Sequence, residues 1–120
     1  MVGGEEEIFD VKKILVPTDG SSYSLKAAEY AAEISKRFDA EVQLLNVIFP
    51  SAIKISRRIE DKPSLEALEK TKDIFDRKGV NVTLRKPVRG NPAETICNIT
   101  KKEKFDLIVM GSRGLSGIEA

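Results

Sequence analysis

The sequence predicts a single α/β domain built on an open parallel β-sheet with helices on both faces. Apolar segments of strand length alternate with amphipathic segments of helical length along the chain. The strand segments are nearly continuous apolar runs, as is typical of strands that helices cover on both faces. At 120 residues, the chain is long enough for one domain with its own core. We expect residues 1–11 to form a tail and residues 12–120 to form the domain.

The first half of the chain predicts two strands and one helix. Residues 13–19, "KILVPTD", contain a short apolar run that ends at Pro17. Apolar residues then recur at helical spacing over residues 22–38, with charged residues on the opposite face. Residues 41–49, "EVQLLNVIF", predict one continuous second strand that is covered on both faces.

A second helix follows a segment without a clear period. Residues 51–62 fit a loop or a frayed helix start. Pro63 and Ser64 lead into an apolar stripe that begins at Leu65, and Gly79 lies where a left-handed C-terminal cap is expected.

The remaining segments predict two strands and a third helix. Residues 80–88 alternate apolar and polar side chains, which indicates a strand at a sheet edge. Asn91 as N-cap, Pro92 at the first helical position and Glu94 at the third mark a helix start. Asp106 opens "DLIVMG", which predicts a fully buried fourth strand.

Composition excludes several classes of function. A net charge of +1, with acidic and basic residues interspersed, does not favour nucleic-acid binding. The apolar runs are too short for a membrane span, and the N-terminus lacks the features of a secretory signal, so we expect a cytoplasmic protein. With no histidine and one cysteine, Cys97, the chain predicts neither a zinc cluster nor a Ser-His-Asp triad.

Two unusual loops are predicted to share one crevice. In open parallel sheets, ligands bind outside the carboxyl ends of the strands, where the strand order reverses. The first and fourth strands are candidates for neighbouring central strands, and "PTDG" (17–20) and "MGSRG" (110–114) follow them. Glycines at 111, 114 and 117 would let backbone N–H groups approach a phosphate closely. This glycine spacing also arises by chance in ordinary turns, and Asp19 fits either a turn or cap residue or a partner of a nucleotide base or ribose.

The segments "KILVPTDGSSYSLKAAEYAAEISKRFDAEVQLLNVI" and "RGNPAETICNITKKEKFDLIVMGSRGLSG" together resemble the universal stress protein family. The resemblance covers nearly the whole chain after the N-terminal tail. It implies a Rossmann-like fold, of the adenine nucleotide alpha hydrolase-like kind, with parallel strand order 3-2-1-4-5. It also implies a protein that is usually dimeric, with ATP or a related adenine nucleotide as ligand, with or without magnesium.

The resemblance implies roles for individual residues. Those expected at the adenine and ribose end are Pro17, Thr18 and Asp19, with Val47 in the base pocket and Gly90 at the rim. The first half of the family's glycine loop corresponds to Met110, Gly111, Ser112, Arg113 and Gly114.

The family's pattern continues beyond the end of this sequence. The second half of the glycine loop would begin ten residues after Gly114, whereas the sequence ends at Ala120. The resemblance therefore implies strand order 3-2-1-4 without the fifth strand and its closing glycine and hydroxyl. We expect an open apolar edge on the fourth strand, which favours either an oligomer, most simply a homodimer, or an edge that another segment covers.

Two functional hypotheses remain open at this stage. The first is a nucleotide-binding domain with a sensing role in the stress response and at most slow ATP hydrolysis, because no catalytic base or metal cluster is visible. The second is a ligand-free module of the same fold that acts through dimerisation or partner docking. The glycine loop favours the first hypothesis, and its missing second half favours the second.

Overall fold

The computed structural model describes residues 10–49 and 57–111, with the backbone alone described at 57–61. Strands and helices alternate, as the sequence predicts. The elements are β1 (Lys13–Pro17), α1 (Ser22–Phe38), β2 (Glu41–Leu45), β3 (Val47–Ile48), α2 (Arg57–Arg77), β4 (Val82–Leu84), β5 (Val88–Arg89), α3 (Pro92–Lys102) and β6 (Leu107–Ile108).

The main sheet is parallel throughout, with spatial order β4-β2-β1-β6. Counted among the four strands that the sequence predicts, this is the order 3-2-1-4. A second, two-stranded parallel sheet joins β3 to β5, and this pair was not predicted. The carboxyl ends of β1 and β2 therefore lie side by side in the middle of the main sheet.

Helices cover both faces of the sheet. Alternate residues of β1 point to opposite faces: Ile14 and Val16 pack with α1 and α2, whereas Leu15 packs with α3. The larger apolar cluster includes Ala28, Ala31, Ala32, Val42, Leu44, Leu68, Ile74 and Phe75, and the smaller one includes Leu45, Ile96 and Phe105. No helix in the described ranges is long and apolar enough to cross a membrane.

The predicted second strand, 41–49, is divided at Asn46, so the expectation of one continuous buried strand was wrong. The Asn46 carbonyl accepts a hydrogen bond from the backbone N–H of Val88, at 3.0 Å. Its side-chain amide donates to the Thr18 carbonyl, at 2.8 Å. These bonds satisfy a buried amide and redirect the chain toward β5, and Phe49 at the far end is 62% exposed.

The predicted fourth strand is shorter and less buried than expected. Only Leu107 and Ile108 pair with β1, and both are half-buried, because β6 is the outermost strand among the described residues. Asp106 opens the strand as predicted. Its Oδ2 accepts from the backbone N–H groups of Lys12, at 2.9 Å, and Lys13, at 3.0 Å, and these bonds hold the pKa of the carboxyl below its usual range.

Helix α2 begins before the predicted start at Pro63 and Ser64. It starts at Arg57 and contains Pro63, whose ring fixes a helical φ but removes one backbone donor. Leu65 is 52% exposed, and the buried face of the helix consists instead of Ser64, Ala67, Leu68 and Thr71 at its start. Gly79 has a φ of +76°, which confirms the predicted left-handed residue after the helix.

Candidate functional site

A cavity of about 270 Å³ opens at the carboxyl ends of β1 and β2. Its lining includes six residues that the sequence assigned to ligand binding: Pro17, Thr18, Asp19, Val47, Met110 and Gly111. Ser24, Asn46, Pro92 and Ile96 complete the lining. A larger cleft, of about 510 Å³, lies at the opposite end of the sheet and is lined by none of the predicted site residues. The first loop and the described part of the second, Met110 and Gly111, therefore lie at one crevice.

Asp19 lines this cavity and forms the turn that leads into helix α1. Its Oδ1 accepts from the Ser24 hydroxyl, at 2.8 Å, and from the Ser21 backbone N–H, at 2.9 Å. The Ser21 side chain in turn accepts from the Ser24 backbone N–H, as an N-cap does. Asp19 is thus a turn residue, and Ser21 is the cap. Asp19 is also exposed and is part of the cavity lining.

Thr18 contributes to the site through its backbone, because its side chain points the other way. The hydroxyl lies 2.8 Å from the Thr71 hydroxyl in helix α2 and accepts from the Gly20 N–H at 3.1 Å. The backbone N–H of Thr18 donates to the Leu45 carbonyl, and its carbonyl accepts from Asn46. These bonds fix the turn that carries Asp19.

An apolar surface forms part of the cavity. Pro17 is buried at the end of β1, and Ile96 of α3 is 7% exposed. Val47 is half-buried, and Met110 is 49% exposed at the opening. Apolar side chains on several sides, with a few polar groups between them, are typical of cofactor pockets.

Gly111 lies where the chain passes directly over the first turn of α1. A Cβ atom at this position would lie 2.7 Å from the Tyr23 carbonyl carbon and 2.9 Å from the Ser24 nitrogen. Packing therefore requires a glycine here, independently of any ligand. The other predicted residues of this loop, Ser112, Arg113 and Gly114, lie outside the described residues.

Helix α3 begins beside the cavity. The Asn91 side chain accepts from the Glu94 N–H at 3.0 Å, and Pro92 occupies the first turn, which confirms the predicted helix start. Gly90 does not line the cavity; its N–H ends the β3–β5 pairing by donating to the Ile48 carbonyl. Since α1 also begins here, two helix N-termini, each with partial positive charge, border the cavity and favour an anionic ligand.

Sequence reasoning missed several lining residues. Asn46 carried a usable signal, because it is a polar residue inside the apolar run "LLNVIF". Ser24 and Ile96 carried no signal of a binding site in the sequence, because they show only helical periodicity. Asp19 is the one charged side chain among the described lining residues. In the part of the chain that the structure describes, no group of three or more His, Cys, Asp or Glu residues could hold a metal ion. The described residues thus offer hydrogen bonding and apolar contact.

Comparison with known proteins identifies the family. A universal stress protein of Methanocaldococcus jannaschii is 38% identical over 117 residues, covering 90% of this chain and 68% of the relative. The universal stress protein YxiE of Bacillus subtilis is 32% identical over 123 residues, covering 89% of this chain and 82% of the relative. A crystal structure of a universal stress protein in complex with cAMP matches with a TM-score of 0.76 at 26% identity, covering 90% of this chain and 81% of that one. Residues 10–120 match the Universal stress protein family, and the chain belongs to that family.

Proposed function

We propose that this protein binds ATP or a related adenine nucleotide in the cavity at the carboxyl ends of β1 and β2, and that it acts as a cytoplasmic sensor in the stress response. One observation carries the proposal: predicted site residues from three separate segments of the chain line a single cavity. The similar structure that contains cAMP supports an adenine nucleotide as the ligand.

The lining suggests how such a nucleotide would lie. Asp19 would accept hydrogen bonds from the base or from ribose hydroxyls, and Pro17 and Val47 would pack against the adenine ring. The phosphates would extend toward the loop that starts at Met110 and Gly111 and continues through Ser112, Arg113 and Gly114. The N-termini of α1 and α3 would favour their negative charge. Gly90, next to the start of α3, would lie at the rim.

The described residues favour a binding role over catalysis. The Asp19 Oδ1 already accepts from two donors within its own loop and helix. No second carboxylate or histidine lies beside it among the described lining residues, so an activated nucleophile is not available there. We therefore propose at most slow ATP hydrolysis, with or without magnesium.

A second candidate function is a protein-interaction module, acting most simply as a homodimer. Gly111 favours it, since packing against Tyr23 explains that glycine without any ligand. In this case the cavity is part of the fold, and partner docking carries the function.

Calorimetric titration of the protein with ATP, AMP and cAMP, each with and without magnesium, separates the two candidates. We expect binding in the parent and a loss of affinity on the order of tenfold in Asp19→Asn, which keeps a carbonyl oxygen for the Ser21 N–H and the Ser24 hydroxyl but loses one acceptor and the charge. Asp73→Ala, an exposed carboxylate of α2 that pairs with Arg77, is the matched control and should bind like the parent. Equal binding by Asp19→Asn would contradict the site, and a parent that binds no nucleotide would favour the interaction module.

A further inference from the structure

We propose that Thr71, on the buried face of α2, is a positioning residue for the nucleotide cavity. It holds the turn formed by Thr18, Asp19 and Gly20, and this inference rests on the proposed function for its consequence in binding. Thr71 does not line the cavity and is completely buried. Its effect on a nucleotide would therefore be exerted through Thr18 and the backbone of the turn.

The hydrogen bonds between the turn and α2 form a chain with a defined direction. The Thr71 hydroxyl donates to the Ala67 carbonyl at 2.8 Å, which uses its one proton. In the 2.8 Å contact between the two hydroxyls, Thr18 must therefore donate to Thr71. The Thr18 oxygen is then left to accept from the Gly20 N–H at 3.1 Å. The turn is thus connected to the backbone of α2 through three successive hydrogen bonds.

Packing holds the turn against the same part of the helix. Gly20 has a φ of +79°, and a Cβ atom there would lie 3.1 Å from both the Cα and the Cβ of Ala67. On the other side, the Asn46 amide donates to the Thr18 carbonyl. The turn is clamped between α2 and the end of β2, and Asp19 is the residue between the two held positions. The direction of its side chain therefore depends on both contacts.

Removing the Thr71 hydroxyl should disturb the turn while keeping every lining residue. Thr71→Val has nearly the same shape but leaves the buried Thr18 hydroxyl without its acceptor. The Thr18 proton would then seek another acceptor, and the bond to the Gly20 N–H would weaken. Thr71→Ser keeps the hydroxyl and should retain the chain of hydrogen bonds.

The test measures nucleotide affinity and the turn itself in the same proteins. ATP and AMP are titrated calorimetrically into the parent, Thr71→Val and Thr71→Ser, and hydrogen exchange of the Gly20 amide is followed by NMR without nucleotide. We expect Thr71→Val to weaken binding and to accelerate Gly20 exchange, each on the order of tenfold. Thr71→Ser should stay within about twofold of the parent in both measurements.

Ser35→Ala is the matched control for loss of a buried hydroxyl. Ser35 is 5% exposed and donates to the Ala40 carbonyl at the opposite end of the sheet. We expect Ser35→Ala to lower the free energy of unfolding and to leave nucleotide affinity unchanged. The exchange rate of the Gly20 amide should change by no more than the loss of global stability accounts for. If Thr71→Val does not fold, Thr71→Cys, whose thiol is a weak hydrogen-bonding group, takes its place.

Unchanged affinity in Thr71→Val would overturn the inference, even if Gly20 exchange accelerates. If the parent binds neither nucleotide, the proposed function fails, and Gly20 exchange alone decides the role of Thr71. In that case, acceleration in Thr71→Val with rescue in Thr71→Ser supports Thr71 as the residue that holds the turn. An unchanged exchange rate of the Gly20 amide in Thr71→Val overturns this role of Thr71.

Discussion

Substituting Gly111 by alanine tests the close approach between the loop after β6 and helix α1. The added Cβ would lie 2.7 Å from the Tyr23 carbonyl carbon, so ordinary contact at 3.4 Å requires the two segments to separate by about 0.7 Å. Overpacking of this kind costs about 1–3 kcal/mol. Alanine also reduces the conformational entropy of the unfolded chain, which stabilises the folded state by about 0.4–1 kcal/mol. The middles of these two ranges leave a net cost of about 1.3 kcal/mol, and we therefore expect Gly111→Ala to lower the free energy of unfolding by about 1–2 kcal/mol.

Urea denaturation and thermal melting measure this change. For a chain of this length, the melting temperature should fall by roughly 4–8 °C. Nucleotide affinity should fall as well, because the displaced backbone lines the cavity. Gly79→Ala is the control: its φ of +76° makes alanine unfavourable by about 1–2 kcal/mol, but a Cβ there meets nothing within 4 Å and lies far from the cavity. A Gly111→Ala protein as stable as the parent would refute the contact with Tyr23, and reduced stability with unchanged affinity would refute the link to the cavity.

Two further predictions concern local interactions elsewhere in the fold. Asn91→Ala should lower the free energy of unfolding by about 1 kcal/mol in urea denaturation, because the Glu94 N–H loses its capping acceptor; unchanged stability would show that this cap contributes nothing. For Asp106, the folded pKa lies below the unfolded value of about 4, so its stabilisation is present above that pH and is lost as the pH falls through the folded pKa. Denaturation series from pH 7 to pH 2 should show a smaller acid loss of stability in Asp106→Asn than in the parent, and coincident profiles would contradict the bonds from Lys12 and Lys13.

Local signals in the sequence explain why much of the fold could be predicted. Asn91, Pro92 and Glu94 specify a helix start with neighbouring residues alone, and Gly79 specifies a helix end in the same way. The near-continuous apolar run of β1 reflects helices on both of its faces. Strand order followed from the family resemblance, since periodicity does not determine which strands are neighbours.

The features that sequence reasoning missed depend on long-range contacts. The division of the second strand at Asn46 requires its partner Val88, which lies on a distant segment. In the sequence, Thr71 is one more position in the helical stripe of α2. Its neighbouring residues do not show that its hydroxyl lies 2.8 Å from the Thr18 hydroxyl. Helix α2 packs through the face that contains Ala67, Leu68 and Thr71, which leaves Leu65 on the solvent side, against its apolar character.

The candidate site also contains features that the sequence predicts and features that only the three-dimensional structure shows. Residues directly at the carboxyl ends of strands, such as Asp19 and Gly111, line the cavity, and their role in ligand binding stays a prediction. The contacts of Asp19 with Ser24 and of Gly111 with Tyr23 follow only from the three-dimensional structure. The contribution of Ser112, Arg113 and Gly114 stays a prediction from the sequence.

Because the β3–β5 pair is short, the two sides of the cavity differ in how readily they open. The ladder between β1 and β2 has five paired positions, whereas α3 follows a ladder of only two, Val47 with Val88 and Ile48 with Arg89. Short ladders open locally at lower free energy than the central pairs of a sheet. We therefore expect the α3 side of the cavity to move more readily than the side formed by β1 and β2. Changes in the width of the cavity should come from α3, while the turn that carries Asp19 stays in place.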